Sequence, residues 1–203
     1  MQSENLIITF TRNPELGKVK SRLAKSIGEQ AALEVYIKLL EHTEHVLRQI
    51  DCDKAVYYSV KVREHDIWDA TIFKKHQQHG DHLGARMEQA FKNGFEAGYK
   101  NIVIVGSDLY DLKPKHINDA FKALENNNYV VGPAQDGGYY LLGMKALHPT
   151  VFKINDWGTN TVYKQTIEQL NTNSLYVLEV LNDIDYVEDL KPYDVFKQYL
   201  ENI

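Results

Sequence analysis

The chain is poor in cysteine, in excess positive charge and in long apolar runs, and each shortage removes a class of protein. Cys52 is the single cysteine of 203 residues, so no internal disulfide can form. A lone free thiol fits a reducing compartment. Acidic residues outnumber basic ones, 28 to 23, and the net charge of −5 lacks the basic footprint that nucleic-acid binding needs. No apolar run reaches membrane-spanning length, and the first residues lack the basic start of a leader peptide. The expectation is a cytoplasmic protein with no membrane span and no nucleic-acid partner. There is no Gly-x-Ser-x-Gly elbow, and Cys52 has no evident base, which weakens hydrolase readings. His76, His79 and His82 have no matching cysteines and make poor zinc evidence. His42 and His45 are expected at the surface of a long helix.

What is present is enough for one α/β domain over residues 1–203, with 43% hydrophobic content and no repeat or low-complexity linker. Leu6–Thr11, Ala55–Val60, Ile102–Val105, Tyr129–Ala134, Tyr139–Met144 and Leu175–Leu181 have strand character, with a short strand in Thr71–Gln77. Glu29–Ile50, Leu83–Ala97, Pro114–Glu125 and Thr159–Leu170 have helical spacing, and Tyr186–Leu200 is expected to be mostly helix. Strands that alternate with helices imply crossover units and a mostly parallel sheet. Ala134 to Tyr139 is too short for a crossover, so that pair either runs antiparallel or leaves the sheet.

Five segments and one tryptophan can carry chemistry. Arg12–Leu23 follows the first strand and holds Gly17, Lys18, Lys20 and Arg22. Strand, glycine loop, cations and helix form a phosphate-binding layout. It is not a Walker A loop, which needs Gly at Arg12 and Ser or Thr at Val19. The three alternating cations are expected to face polyphosphate; the plainer alternative is a solvated basic loop. Gly80-Asp81-His82-Leu83-Gly84 opens a helix, and its glycines let backbone approach a flat base. Asp81 alone is also explained as the helix cap.

Ile102–Val105 ends in Gly106-Ser107-Asp108, which delivers a carboxylate to the edge where open α/β sheets bind ligands. Asp183 and Asp185 lie two apart after another apolar stretch, so both are expected to face one side. Glu188 and Asp189 are expected in a first helical turn, where acids suit the dipole. Hard oxygen ligands of this kind suit Mg²⁺ or Mn²⁺. Gly132–Gly143 places Asp136, Gly137, Gly138, Tyr139 and Tyr140 between two apolar runs and suggests a polar pocket. Trp157 is either a stacking surface for a ligand or a core aromatic near a helix start.

Together these residues resemble the bacterial glycosyltransferase-A-like group called rSAM/selenodomain-associated transferases, in the nucleotide-diphospho-sugar transferase superfamily. The motifs run in order from Phe10 to about Leu190. They are Pro14-x-x-Gly17-x-Val19-Lys20-Ser21-Arg22-Leu23, Gly80-Asp81 with Leu83-Gly84-x-Arg86-Met87, Gly106-Ser107-Asp108, Gly132-Pro133-Ala134-x-Asp136-Gly137-Gly138-Tyr139-Tyr140, Trp157-x-Thr159 and Asp183-Ile184-Asp185-x-x-Glu188-Asp189-Leu190. Three departures are expected to narrow or remodel the pocket. Tyr110 stands where the family has Pro, His82 is an extra residue, and Gly158 replaces Ser.

The resemblance implies a Rossmann-like three-layer α/β/α sandwich of the glycosyltransferase-A type, with a mostly parallel mixed sheet. It implies a metal-dependent transferase. Lys20, Arg22 and Asp108 are its catalytic candidates. Thr11, Arg12, Gly17, Lys18, Asp81, Leu83 and Gly84 are the candidate nucleotide contacts. Asp136, Gly137, Gly138, Tyr139 and Trp157 are expected to hold substrate, and Asp108, Asp183 and Asp185 the metal. The expected partners are a nucleoside triphosphate or nucleotide sugar and a small-molecule acceptor, with a homodimer left open.

The basic loop favours nucleotidyl transfer to a small phosphorylated substrate. So do the short chain and a Ser107-Asp108-Leu109 that lacks the Asp-x-Asp of metal-dependent glycosyltransferases. Glycosyl transfer from a nucleotide sugar is the alternative, and a nucleotide-binding protein without turnover is a third reading that rests on Tyr110.

Overall fold

A computed structural model describes residues 3–154 and 156–201. Asn155, and Met1 and Gln2 of the first residues read above for a leader, lie outside the described residues. Seven strands form one sheet in the order β3-β2-β1-β4-β6-β5-β7. They are β1 Asn5–Thr11, β2 Asp53–Tyr58, β3 Phe73–Gln77, β4 Asn101–Val105, β5 Tyr129–Pro133, β6 Tyr139–Met144 and β7 Leu175–Val177. β3, β2, β1 and β4 are parallel neighbours, and β7 runs parallel to β5. β6 is antiparallel to both β4 and β5, with a register shift at Gly132/Pro133. The short link from β5 thus stays in the sheet as a hairpin.

The helices are α1 Ser21–Ile27, α2 Glu29–Arg48, α3 Leu83–Glu96, α4 Pro114–Asn126, α5 Val162–Gln169 and α6 Val187–Leu190. Alternate residues of each central strand go to opposite faces, as pleating requires. Ile7, Val56, Val103 and Val105 pack with Tyr36, Leu40 and Leu47 of α2 and Ile117 and Leu124 of α4. Leu6, Ile8, Ile102 and Ile104 pack with Met87, Ala90 and Phe91 of α3 and with Val151 and Phe152. Two apolar layers on one sheet give the three-layer α/β/α architecture expected from the sequence. Parallel strands covered on both faces explain why β1, β2 and β4 are apolar nearly throughout.

Three expectations about elements need correction. α1 was not foreseen. It is a short amphipathic turn whose Leu23 is buried with Ala32, Val35 and Leu39 of α2 and with Ile184 and Phe196. β7 ends at Val177, and the chain then follows β5 by single contacts, Leu178 N–H to the Val131 carbonyl and Leu181 N–H to the Pro133 carbonyl. The helix expected from Tyr186 is broken into two short pieces. It forms the four-residue α6 and then a 3-10 turn at Asp194–Tyr199, curled so that Leu190 and Phe196 reach the α1–α2 surface. Among the described residues no helix is long and apolar enough to cross a membrane.

Candidate active site

β1, β4 and β5 end at one edge of the sheet, and antiparallel β6 begins there. The loops that leave this edge line a cleft of about 520 Å³. The β1–α1 loop supplies Arg12 and Lys20 to it and the first turn of α1 supplies Arg22, the loop after β4 supplies Ser107 and Asp108, and the turn into β6 supplies Asp136 and Gly138, with Tyr139 opening β6. Leu83, Met87, Trp157 and Gly158 close the α3 side, and Asp183 and Asp185 enter from the chain after β7.

A backbone bond brings the late carboxylates to the early one. Ile184 N–H donates to the Asp108 carbonyl at 3.0 Å, and Ile184 itself is fully buried. Asp189 holds the same segment from below. Its carboxylate accepts from the backbone N–H of Asp185 at 2.9 Å and of Tyr186 at 2.7 Å, and from the Asn182 side chain at 3.0 Å. One ligand oxygen from each of Asp108, Asp183 and Asp185 lies within 4.8 Å of the others. Sequence spacing placed Asp183 and Asp185 on one side, and both line the cleft.

The basic loop is built differently from the expected row of three cations. Alternation presents residues 18, 20 and 22 together only in an extended chain, and here the chain turns. Lys20 has φ of 45°, the one left-handed non-glycine residue among those described. Its ammonium turns inward and donates to Asp108 at 3.1 Å and to Asp185 at 3.0 Å, with the side chain only 6% exposed. Burial works to lower the Lys20 pKa, but the charges of Asp108 and Asp185 and the hydrogen bonds to both outweigh it. The net shift is upward, so Lys20 is held protonated. Arg22 remains half exposed, donates to the other Asp185 oxygen at 3.0 Å and lies over the Tyr186 ring. Lys18 lines a neighbouring cleft with Arg12, Gln78, His82 and Leu83.

These cations also sort the carboxylates. Burial tends to raise the Asp185 pKa, but the charges of Lys20 and Arg22 and their hydrogen bonds prevail, and it lies below the usual carboxylate range. Asp183 has neither partner. Burial first, then the charges of Asp108, Asp136 and Asp185, push it up to about 7.

Two residues that sequence reasoning passed over fix the loop. Tyr36, in the apolar stripe of α2, reaches over with its hydroxyl. That oxygen accepts from Arg12 N–H at 3.0 Å, donates to the Arg12 carbonyl and meets the Thr11 hydroxyl. Asn13 is buried. Its amide donates to the Lys61 carbonyl at 2.8 Å, and its side-chain oxygen accepts from Val60 N–H at 3.0 Å. Tyr36 lies within the Glu29–Ile50 stretch of helical spacing, and the only further signal in the sequence is that a buried tyrosine needs a partner for its hydroxyl.

Other candidates sit elsewhere than expected. Thr11 is buried beneath the loop and braces it. Gly17, with φ of 70°, meets the Glu29 carboxylate, and Asp81 is exposed and lines neither cleft. The cap of α3 is His82, whose Nδ1 accepts from Ala85 N–H. Gly84 faces protein in place of a flat base. A Cβ there would lie 2.4 Å from the Phe152 carbonyl and 2.7 Å from the Trp157 indole. Gly137, with φ of 88°, backs onto Asn160, while Gly138 N–H donates to Asp136.

Trp157 is a core aromatic that also borders the cleft, with a buried Nε1 that has no partner among the described residues. Tyr110 lines neither cleft and packs edge-on against Tyr193 and Phe196. His42 is half-buried, not superficial, and bonds the Leu112 carbonyl at 2.8 Å.

A family profile described as "Uncharacterized protein conserved in bacteria (DUF2064)" matches residues 40–159. A solved structure from Desulfovibrio desulfuricans G20, assigned as a nucleotide-diphospho-sugar transferase, superposes with a TM-score of 0.87 at 27% identity, over 99% of this chain and 96% of that one. A 2-phospho-L-lactate guanylyltransferase of Methanocaldococcus jannaschii is 24% identical over 135 residues, 64% of this chain. The match spans only 56% of that relative's length. The 4-diphosphocytidyl-2C-methyl-D-erythritol synthase of Anaerococcus prevotii shares the fold, with a TM-score of 0.61 at 12% identity over 96% of each chain. The architecture is that of the nucleotide-diphospho-sugar transferase superfamily.

Proposed function

We propose that this chain, which belongs to the DUF2064 family, transfers a nucleotidyl group from a nucleoside triphosphate to a small acceptor, with Mg²⁺ or Mn²⁺ as cofactor. The observation that carries the reading is the cluster of Lys20, Arg22, Asp108 and Asp185 at the sheet edge. It joins cations for a polyphosphate to carboxylates for a metal.

In this reading the acceptor oxygen attacks the α-phosphorus and the bond to pyrophosphate breaks. Lys20 and Arg22 offset negative charge that builds on the phosphates, Arg22 through its planar fork and Lys20 as a point charge. Tyr36 and Asn13 anchor the start of the loop that leads to both, and the ion pairs with Asp108 and Asp185 orient the two donors. Asp108, Asp183 and Asp185 supply hard oxygen ligands within reach of one another, the donor set that suits Mg²⁺. The bound cation would polarise phosphoryl oxygens and neutralise the leaving group.

Asp136, Gly138, Tyr139 and Trp157 line the other half of the cleft and form the acceptor side. A relative named for guanylyl transfer to 2-phospho-L-lactate supports a small phosphorylated acceptor. Glycosyl transfer is the second reading, favoured by an aromatic side chain, Trp157, and a carboxylate, Asp136, in the lining of the same cleft, side chains suited to a sugar.

A screen of the four nucleoside triphosphates and of nucleotide sugars with Mg²⁺ and pooled phosphorylated acceptors separates the two. Pyrophosphate release from a triphosphate supports nucleotidyl transfer. Release of a nucleoside diphosphate from a nucleotide sugar, with no pyrophosphate, replaces it with glycosyl transfer.

A further inference from the structure

The carboxylate pair assigned to the metal already holds a cation of the protein's own. The Lys20 ammonium lies 3.1 Å from Asp108 and 3.0 Å from Asp185, and uses an oxygen of each. Mg²⁺ bonds oxygen at about 2.0–2.1 Å, so an ion shared by these carboxylates would occupy the ammonium's own ground. We propose that Lys20 is a built-in counter-ion that keeps divalent metal out of the empty site, and that metal and nucleotide load together because only nucleotide phosphate can take the lysine. This rests on the proposed nucleotidyl-transfer reading of the site.

Three observations support it. The Lys20 side chain is nearly buried, so an ammonium pushed off the pair has little water to turn to. A buried charge without a partner is costly, which penalises metal that arrives alone. The backbone at Lys20 is left-handed although no side-chain cap of α1 requires it. That conformation is unfavourable for a residue with a Cβ, and here it sets the side chain on the carboxylates. Arg22 grips the remaining Asp185 oxygen from a half-exposed position, so it can stay while Lys20 leaves.

A phosphate oxygen delivered beside the pair gives Lys20 a new partner and gives the metal a further ligand. Each ligand then binds better when the other is present, and by linkage the coupling is reciprocal.

The experiment is a Mn²⁺ titration followed by electron paramagnetic resonance. It uses the parent with and without an α,β-methylene triphosphate analogue, and Lys20→Met and Lys20→Arg with metal alone. The parent should bind Mn²⁺ weakly alone and at least about tenfold more tightly with the analogue. Lys20→Met should bind Mn²⁺ alone at least about tenfold more tightly than the parent, whereas Lys20→Arg should stay close to the parent.

Equal Mn²⁺ affinity of the parent and Lys20→Met overturns the proposal. So does a parent affinity that bound analogue leaves unchanged, an arm that still decides if Lys20→Met does not fold. Calorimetry of the analogue separates this from failure of the functional reading. An analogue that does not bind sinks nucleotidyl transfer, while the comparison of parent and variant with metal alone still decides the role of Lys20.

Discussion

Replacing Asp183 with Asn should stabilise the metal-free protein at neutral pH and leave it unchanged at acidic pH. Burial and three neighbouring carboxylates raise Asp183 from the ordinary 3.8 to about 7. The sign follows from proton linkage. Between these values the folded chain keeps a proton that the unfolded chain has released. The favourable term is therefore complete below the unfolded value and is lost as pH rises through the folded one. Ionised Asp183 is then a charge held among like charges.

At 1.36 kcal/mol per unit the shift corresponds to at most about 4 kcal/mol. Asp183 keeps part of its contact with water, and screening brings this to about 1–2 kcal/mol. For a chain of this length that is a gain of roughly 3–6 °C in Tm for Asp183→Asn at about pH 8, fading towards pH 5. The assay is thermal unfolding of chelator-treated parent and variant across that range. Loss of stability in Asp183→Asn at about pH 8, or a difference that ignores pH, would refute the electrostatic account of the cluster.

Three further substitutions test its surroundings. Gly84→Ala drives a Cβ to 2.4 Å from the Phe152 carbonyl, a backbone atom with little room to move. Chemical denaturation should show a loss of about 2 kcal/mol. Tyr36→Phe removes the oxygen that accepts from Arg12 N–H. It should cost about 1 kcal/mol in stability and raise the KM for nucleotide far more than it lowers kcat, and steady-state kinetics would show the split. Arg22→Ala breaks a half-exposed ion pair. Stability should change by no more than about 1 kcal/mol while calorimetry shows weaker nucleotide binding; unchanged affinity would remove Arg22 from the site.

Most of the sheet was legible because its strands are buried on both faces and stand out as apolar runs, Leu6–Ile8 and Ile102–Val105 above all. The edge where Asp108, Asp136 and Asp185 meet followed from strand ends and short spacings. What was not legible depends on contacts distant in sequence. The start of the loop after β1 is anchored by Tyr36 and by Asn13, whose partners lie at residues 60 and 61. Nothing local announces that Lys20 turns left-handed and inward. Asp81 was the better cap on propensity, yet the chain places His82 at that position. The end of the chain is bent by Leu190 and Phe196 seeking the α1–α2 surface, which local periodicity does not contain.

If Asp108 holds a metal over a nucleoside triphosphate in the cleft, pyrophosphate release with Mg²⁺ should separate the parent from Asp108→Asn. The parent should release pyrophosphate only without chelator, and Asp108→Asn should fall by about 100-fold or more with little change in Tm. Equal release by the two proteins, or release that chelator does not affect, would contradict that role of Asp108.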